Sequence, residues 1–397
     1  MNAEKIRIAG TGCALADYLF SGVSFKSDQF RKFASCSPGD GGLNPGRLVF
    51  TEELEAFAGS SFNSIYSGLL GSRQPDAFNV GGPSIVALIH AAQMLDRERF
   101  AVEFYGLAGK DETAGRIIRM VSATPLDITH YRNESDRATP FTYVLSDPSH
   151  DGGHGERTFI NNIGAAWDLN PEDLPDQFFS ADMVCFGGTA LVPNLHDHLT
   201  QLLEKAKNQG GLTLVNTVYD FRNERRFPGK PWPLVEPGKA DLIDLLIMDA
   251  TEALSISGCS ALEEAGDYFI ETGVAAFIIT NGAQELLAWS GGRVFTQTGL
   301  KHFPVSDWVT GQIRANPGTT GDTTGCGDNF AGGVMASIAW QMNRGRRDGL
   351  NLGEAVAWGV ASGGFCCFTI GGTYLEERPG QKLVEVKKIH DHYISQQ

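Results

Sequence analysis

The chain of 397 residues carries 47 acidic against 32 basic residues, a formal charge of −15. Nucleic acids and membrane surfaces are polyanionic, so this balance argues against a general binder of either; a small anionic ligand remains open, because backbone amides and a few local cations can hold one. The length suits one large α/β domain or two ordinary ones. The seven cysteines are odd in number, dispersed and never spaced C-x-x-C, which argues against a disulfide framework or a zinc site. With no signal-peptide core after Met1 and no apolar run of roughly 18 residues, the expected location is the reducing cytoplasm.

In chain order, Ile6 to Ala9 reads as a buried strand and Pro83 to Leu95 as a helix with apolar residues at helical spacing. Val102 to Leu107 then precedes a helical Thr113 to Val121, and Met183 to Phe186 precedes a helical Asn194 to Lys207. Leu212 to Val215, Leu245 to Met248 and Ala276 to Ile279 continue the strands, and Leu352 to Thr369 is a helix rich in small residues. This alternation predicts an α/β fold with a mostly parallel sheet covered by helices, binding ligands beyond the carboxyl ends of its strands. Two regions interrupt it. Leu19 to Asp76 is rich in Gly, Ser and Phe with strong turn signals, and Asp127 to Ile163 contains a long-turned hairpin from Phe141–Leu145 and Arg157–Ile160.

The most informative stretch runs from Gly321 to Gly333, where Gly321-Asp322-Thr323-Thr324-Gly325-Cys326-Gly327-Asp328 leads directly into an apolar helix. A helix start has unpaired N–H groups and partial positive charge, so a glycine turn there lets the backbone close on an anion. Gly325, Cys326 and Gly327 would present main-chain amides, with Cys326 as a spacer, and Asp328 sits where a hydroxyl could lose its proton. A capping role for Asp328 is the plain alternative.

The stretch closely resembles the D-T-x-G-A-G-D signature of the ribokinase-like (PfkB) carbohydrate kinases, with Cys326 where Ala is usual. Gly10 to Asp17 resembles that family's first strand, small-residue turn and substrate-binding Asp, which implies Asp17 as a substrate contact; a turn cap is the alternative. Asn79-Val80-Gly81-Gly82-Pro83-Ser84 resembles its Gly-Gly signature, implying that Gly81 and Gly82 approach the sugar, although Val86 stands where an Asn is usual and leaves Asn79 or Ser84 to compensate. Gly106 to Gly115 matches a turn read as structural, with Lys110 and Asp111 as possible ligand contacts. Asp249 to Glu252 takes the place of N-x-x-E, with Asp249 for Asn. Such a pair would organise magnesium, through water, or would simply begin a helix. Asn216, Thr280 and Gly282 fall where the family approaches ATP, and Ala361, Gly364 and Cys367 are packing residues or an adenine wall.

The resemblance implies a three-layer α/β/α ribokinase-like fold over residues 1–397 as one domain, with a discontinuous β lid at about 19–76 and 127–163. It implies ATP- and magnesium-dependent phosphorylation of a hydroxyl on a sugar or sugar-like molecule, with potassium or another monovalent cation and a homodimer through the lid as family traits. A nucleoside kinase of the same fold and a non-catalytic sugar- or nucleotide-binding regulator are the alternatives; an aromatic cage under the lid would favour the former. No P-loop sequence occurs, and Leu15 replaces the third glycine of a dinucleotide fingerprint. His196 and His198 at i and i+2 face apart on a helix, His150 and His154 read as solvated lid residues, and Phe57, Phe62 and Tyr66 form an apolar face in the insertion that serves as core, lid packing or subunit contact.

Overall fold

Short apolar runs without alternation are the mark of strands buried on both faces, and the chain lays such runs side by side. The computed structural model describes residues 5–37, 39–151, 155–316, 321, 323–345 and 348–397; Asp322 and His154 lie outside these described residues. In chain order the strands are β1 Ile6–Gly12, β2 Leu15–Ser21, β3 Leu48–Phe50, β4 Ala77–Gly81, β5 Phe100–Gly109, β6 Asp127–Ser135 and β7 Phe141–Asp147. They continue with β8 Glu156–Asn162, β9 Met183–Gly187, β10 Leu212–Asn216, β11 Leu245–Asp249, β12 Ala276–Asn281, β13 Gln284–Ser290 and β14 Thr298–Phe303.

Nine strands form the main sheet in the order β14-β13-β12-β11-β10-β9-β1-β5-β6. From β12 to β6 all neighbours pair in parallel, and β13 and β14 add an antiparallel edge. Alternate residues feed two cores: Ile8 and Cys185 pack with the helices Pro83–Met94, Cys326–Asn343 and Leu352–Cys366 on one face, while Ala9 and Val184 pack with Leu199–Asn208 and Leu262–Thr272 on the other. The fold is three-layer α/β/α, as the alternation predicts.

The second sheet has the order β3-β8-β7-β2-β4. Its boundaries correct the predicted lid: β2 begins at Leu15, so Asp17 lies within a strand rather than a turn, and β6 pairs with β5 in the main sheet, so residues 127–135 are not lid. The segment read as turns between Leu19 and Asp76 contains the helices Thr51–Ala58 and Phe62–Leu70. Here Phe20, Phe30, Leu54, Ile65, Leu145 and Ile160 form a third core, against which Phe57, Phe62 and Tyr66 pack. Those three aromatics are lid packing. His150 is only partly solvated: its ring lies 5.5 Å from Phe25 and its Nδ1 is buried. The predicted helix Asn194 to Lys207 breaks at His198 into Pro193–Asp197 and Leu199–Asn208.

Candidate active site

Parallel pairing sets the carboxyl ends of the central strands side by side. Gly12 is in register with Gly187, Gly187 with Asn216, and Asp249 with Thr280. Over this edge sits the amino terminus of the helix Pro83–Met94, capped by Gly82 at φ 104°. A Cβ on Gly82 would lie 2.6 Å from the Cys13 carbonyl oxygen, so only glycine lets the helix start rest on the β1–β2 turn. Gly81 is pressed just as closely against the Asp17 carboxylate, where a Cβ would meet Oδ2 at 2.1 Å.

Asp17 belongs to a polar row across the lid. Register places Asn79, Asp17, Thr142 and Asn161 on neighbouring strands of one face, whereas the next row, Phe78, Tyr18, Tyr143 and Ile160, faces the other way. Asn161 Nδ2 donates to Thr142 Oγ1 at 2.9 Å. Arg157, on the polar face of β8, reaches across to donate to Thr324 Oγ1 at 2.8 Å. That bond fixes which side of the lid looks onto the glycine loop. Asn79 and Ser84 do not replace the side chain lost at Val86. Asn79 Nδ2 donates to the Ile370 and Thr373 carbonyls, Ser84 Oγ to the Thr11 carbonyl, and Val86 itself is buried against Gly372.

The helix Cys326–Asn343 has Gly325 as its N-cap, at φ 78°, and Asp328 as its third residue. The cap position is therefore taken by a residue with no side chain, and Asp328 is half-buried in the first turn. Burial raises it from 3.8 to about 6. The buried Cys13 thiol is raised by burial and then by the charges of both Asp328 and Asp17, so the two carboxylates flank the β1–β2 turn.

Asp249 and Glu252 form a capping box on the helix Ala250–Ser257, with Asp249 Oδ1 accepting from Glu252 N at 2.8 Å and Glu252 Oε2 from Asp249 N at 3.0 Å. Thr217 Oγ1 also donates to Glu252 Oε2 at 2.5 Å. Burial first, then the neighbouring charge of Asp249, raises Glu252 to about 7. The capping role of this pair is thus real. Among the described residues no group of three or more His, Cys, Asp or Glu side chains converges as a metal site. Asn216 ends β10 buried, with its Oδ1 lacking any partner. Thr280 lies near the end of β12 and Gly282 in the turn into β13, where a Cβ on Gly282 would meet nothing within 4 Å.

Residues 76–378 match the family model described as pfkB family carbohydrate kinase. The chain belongs to that family. This PfkB kinase is 26% identical over 242 residues to the aminoimidazole riboside kinase of Salmonella typhimurium, covering 59% of this chain and 67% of that protein. Its fold superposes on adenosine kinase from Sinorhizobium meliloti with a TM-score of 0.69 at 16% identity, over 97% of this chain and 99% of the other. It superposes also on a putative ribokinase II from E. coli in complex with ATP and Mg2+, with a TM-score of 0.62 at 17% identity over 99% and 100%. The PfkB kinase is a phosphotransferase of the sugar and nucleoside class.

Other polar residues singled out in the sequence have structural duties. Asp111 caps the helix Glu112–Val121 and binds Thr139, and Lys110 pairs with the exposed Asp136. His196 is held by Asp220 and Thr189, and His198 by the Asn194 carbonyl. A cavity of about 1030 Å3 lined by Phe50, Trp167, His196, His198, Arg222 and Arg225 includes neither Asp17 nor Asn216, Glu252, Thr280 or Asp328. Arg222 pairs with Asp197 and Arg225 with Glu53.

Sequence reading missed the group behind the glycine loop. Asn329 Nδ2 donates to the carbonyls of Gly325 and Gly372, both at 2.8 Å, and its Oδ1 receives Lys382 Nζ at 3.0 Å and lies 2.7 Å from His90 Nδ1. Lys382 also donates to Gln93 Oε1 at 3.0 Å; it is fully buried, which lowers it from 10.5 to about 7. Nothing in the local sequence marks Lys382, some fifty residues further on. Lys382→Met would leave two buried carbonyl oxygens short of a donor, an expected loss of about 1–3 kcal/mol in unfolding free energy at pH 7. In the wild type, stability gains from this lysine as pH rises from about 7 toward 10.5, because the folded state sheds the proton while the unfolded chain keeps it. The variant should lack that rise in denaturant melts across this pH range.

Proposed function

We propose that the chain transfers the γ-phosphoryl group of ATP to a hydroxyl of a sugar or riboside held between the polar row of the lid and Asp328. The observation that carries this reading is the Arg157–Thr324 bond, because it turns Asp17, Thr142 and Asn161 toward the glycine loop. A row of carboxylate, hydroxyl and amide groups suits a polyol; Phe78, Tyr18 and Tyr143 lie on the opposite face, and Phe159 is the aromatic of β8 that shares the polar face with Arg157.

Phosphoryl transfer asks the protein for alignment and charge stabilisation more than covalent chemistry. Asp17 holds acceptor hydroxyls, and Asp328, at about 6, is ionised at neutral pH yet basic enough to take the reacting proton. The amides of Gly325, Cys326 and Gly327 donate to the charge that develops on the transferred group. Asn216, which ends β10 with its Oδ1 unpartnered among the described residues, and Thr280 and Gly282 at the end of β12 line the path of the phosphates. The acidic pair suits a hydrated magnesium ion: Glu252 is raised because it lies buried beside Asp249, and a cation there would relieve that repulsion. Magnesium, when bound, neutralises phosphate charge.

The test is a coupled ADP-release screen against sugars, sugar phosphates, sugar acids, polyols and nucleosides, run on the wild type and Asp17→Ala. A charged hydrogen bond to the acceptor is worth roughly 1.5–3 kcal/mol, so the variant's KM for the acceptor should rise by about tenfold to a hundredfold while its KM for ATP stays put. An equal loss for both substrates would remove Asp17 from the acceptor site.

A further inference from the structure

Three of the seven cysteines, Cys326 and the adjacent Cys366 and Cys367 some forty residues on, meet at the glycine loop. Cys326 opens the helix Cys326–Asn343, and Cys367 follows the helix Leu352–Cys366. Their sulfurs lie 3.6 Å apart. The backbones beneath are close as well, since a Cβ on Gly363 would sit 3.1 Å from the Cys326 carbonyl oxygen. Both residues are half-buried. Cys366 is different: it is buried, its Sγ accepts from Asn329 Nδ2 and donates to the Thr324 carbonyl, both at 3.4 Å.

We propose that Cys326 and Cys367 are a modification site, joined by hydrogen peroxide into a reversible disulfide that disarms the glycine loop. The gating effect rests on reading that loop as the phosphate site. The two sulfurs are unequal partners. A hydrogen bond from Cys326 lowers the Cys367 thiol to about 7, whereas hydrogen bonds to the Cys366 and Cys367 sulfurs keep Cys326 protonated. The Cys367 thiolate attacks one peroxide oxygen, the O–O bond breaks, hydroxide leaves, and Cys367 becomes a sulfenic acid. The Cys326 sulfur then attacks the Cys367 sulfur, the S–S bond forms, the S–O bond breaks, and the departing hydroxide takes the Cys326 proton as water. Two thiols lose two electrons, and the peroxide becomes water.

Closure draws the sulfurs from 3.6 Å to a bond length of about 2.05 Å. Cys326 carries one of the amides aimed at the phosphate and has Gly325 and Gly327 on either side, so the movement falls on all three donors. A displacement of about 1 Å in such a site costs on the order of a hundredfold in rate.

The experiment exposes the reduced full chain to a series of peroxide concentrations. Disulfides are mapped by mass spectrometry after alkylation, and binding of a fluorescent ATP analogue and ADP release are read in parallel. A Cys326–Cys367 linked peptide should appear before the exposed Cys36 is oxidised and vanish with dithiothreitol. The oxidised chain should lose at least about tenfold in nucleotide affinity or turnover, and Cys367→Ala should show no such difference between its own oxidised and reduced forms. Oxidation of Cys36 without the linked peptide, a link through Cys366, or a link that leaves binding and turnover intact would each overturn the proposal. A reduced chain that neither binds nor turns over ATP would overturn the phosphate-site reading and the gating with it; the peptide map separates that failure from absence of the disulfide.

Discussion

Asp328→Asn is expected to lower kcat by roughly 10²–10⁴ while leaving both KM values within a few-fold. Asn keeps the shape and removes the base. The helix keeps its start, because Gly325 and not Asp328 occupies the cap. The wild type should show an acidic limb in kcat/KM with an apparent pKa near the value of about 6 that burial gives Asp328, and activity should fall as pH drops through it. Stability moves the opposite way. The folded state raises this acid from 3.8, so ionising it costs stability as pH climbs from about 4 to 6, and that cost is complete above 6. Asp328→Asn should therefore be at least as stable as the wild type at pH 7 and lose this advantage near pH 4. Full turnover by the variant in the ADP-release assay would rule out Asp328 as the base.

The parallel strands were legible because burial on both faces writes an uninterrupted apolar run, as in Leu245–Met248 and Ala276–Ile279. The glycine turn and the helix start at Cys326 were legible because their residues are contiguous. What escaped the sequence depends on distance in the chain or on register. β6 reads as part of the lid region because its sequence, Asp127 to Ser135, is polar and carries no apolar run, yet it pairs with β5 at the sheet's edge. Asp17 reads as a turn residue after two glycines, whereas pairing on both sides draws it into β2. The polar row exists only once β4, β2, β7 and β8 are in register, since Asn79 and Asn161 are far apart in sequence. The meeting of Cys326 with Cys367 follows from the crossing of two helices packed through Gly333, Gly359 and Gly363, a contact that no local spacing encodes.

Gly325→Ala is the second large effect, expected at about a hundredfold in kcat with a stability loss of roughly 1–3 kcal/mol. The backbone at Gly325 is left-handed, with φ 78°, a conformation that costs an alanine about 1–2 kcal/mol. The new Cβ would also lie 2.4 Å from the Gly372 Cα, which is backbone and cannot swing aside. Asn329 binds both neighbouring carbonyls, those of Gly325 and Gly372, so separating the two strands of chain strains its paired bonds. The relief available is a shift of the loop itself, and that shift carries the amides of Cys326 and Gly327 away from the phosphate. Gly372→Ala supplies the comparison. Its Cβ would meet the Val86 methyl groups at 3.3 Å, a side chain that can yield by a few tenths of an ångström, so less than about tenfold is expected in kcat. Thermal melts and steady-state kinetics on the two variants separate the contributions. If Gly325→Ala melted lower yet kept its kcat within about threefold, the loop would be a structural turn and the developing charge would have to be held elsewhere.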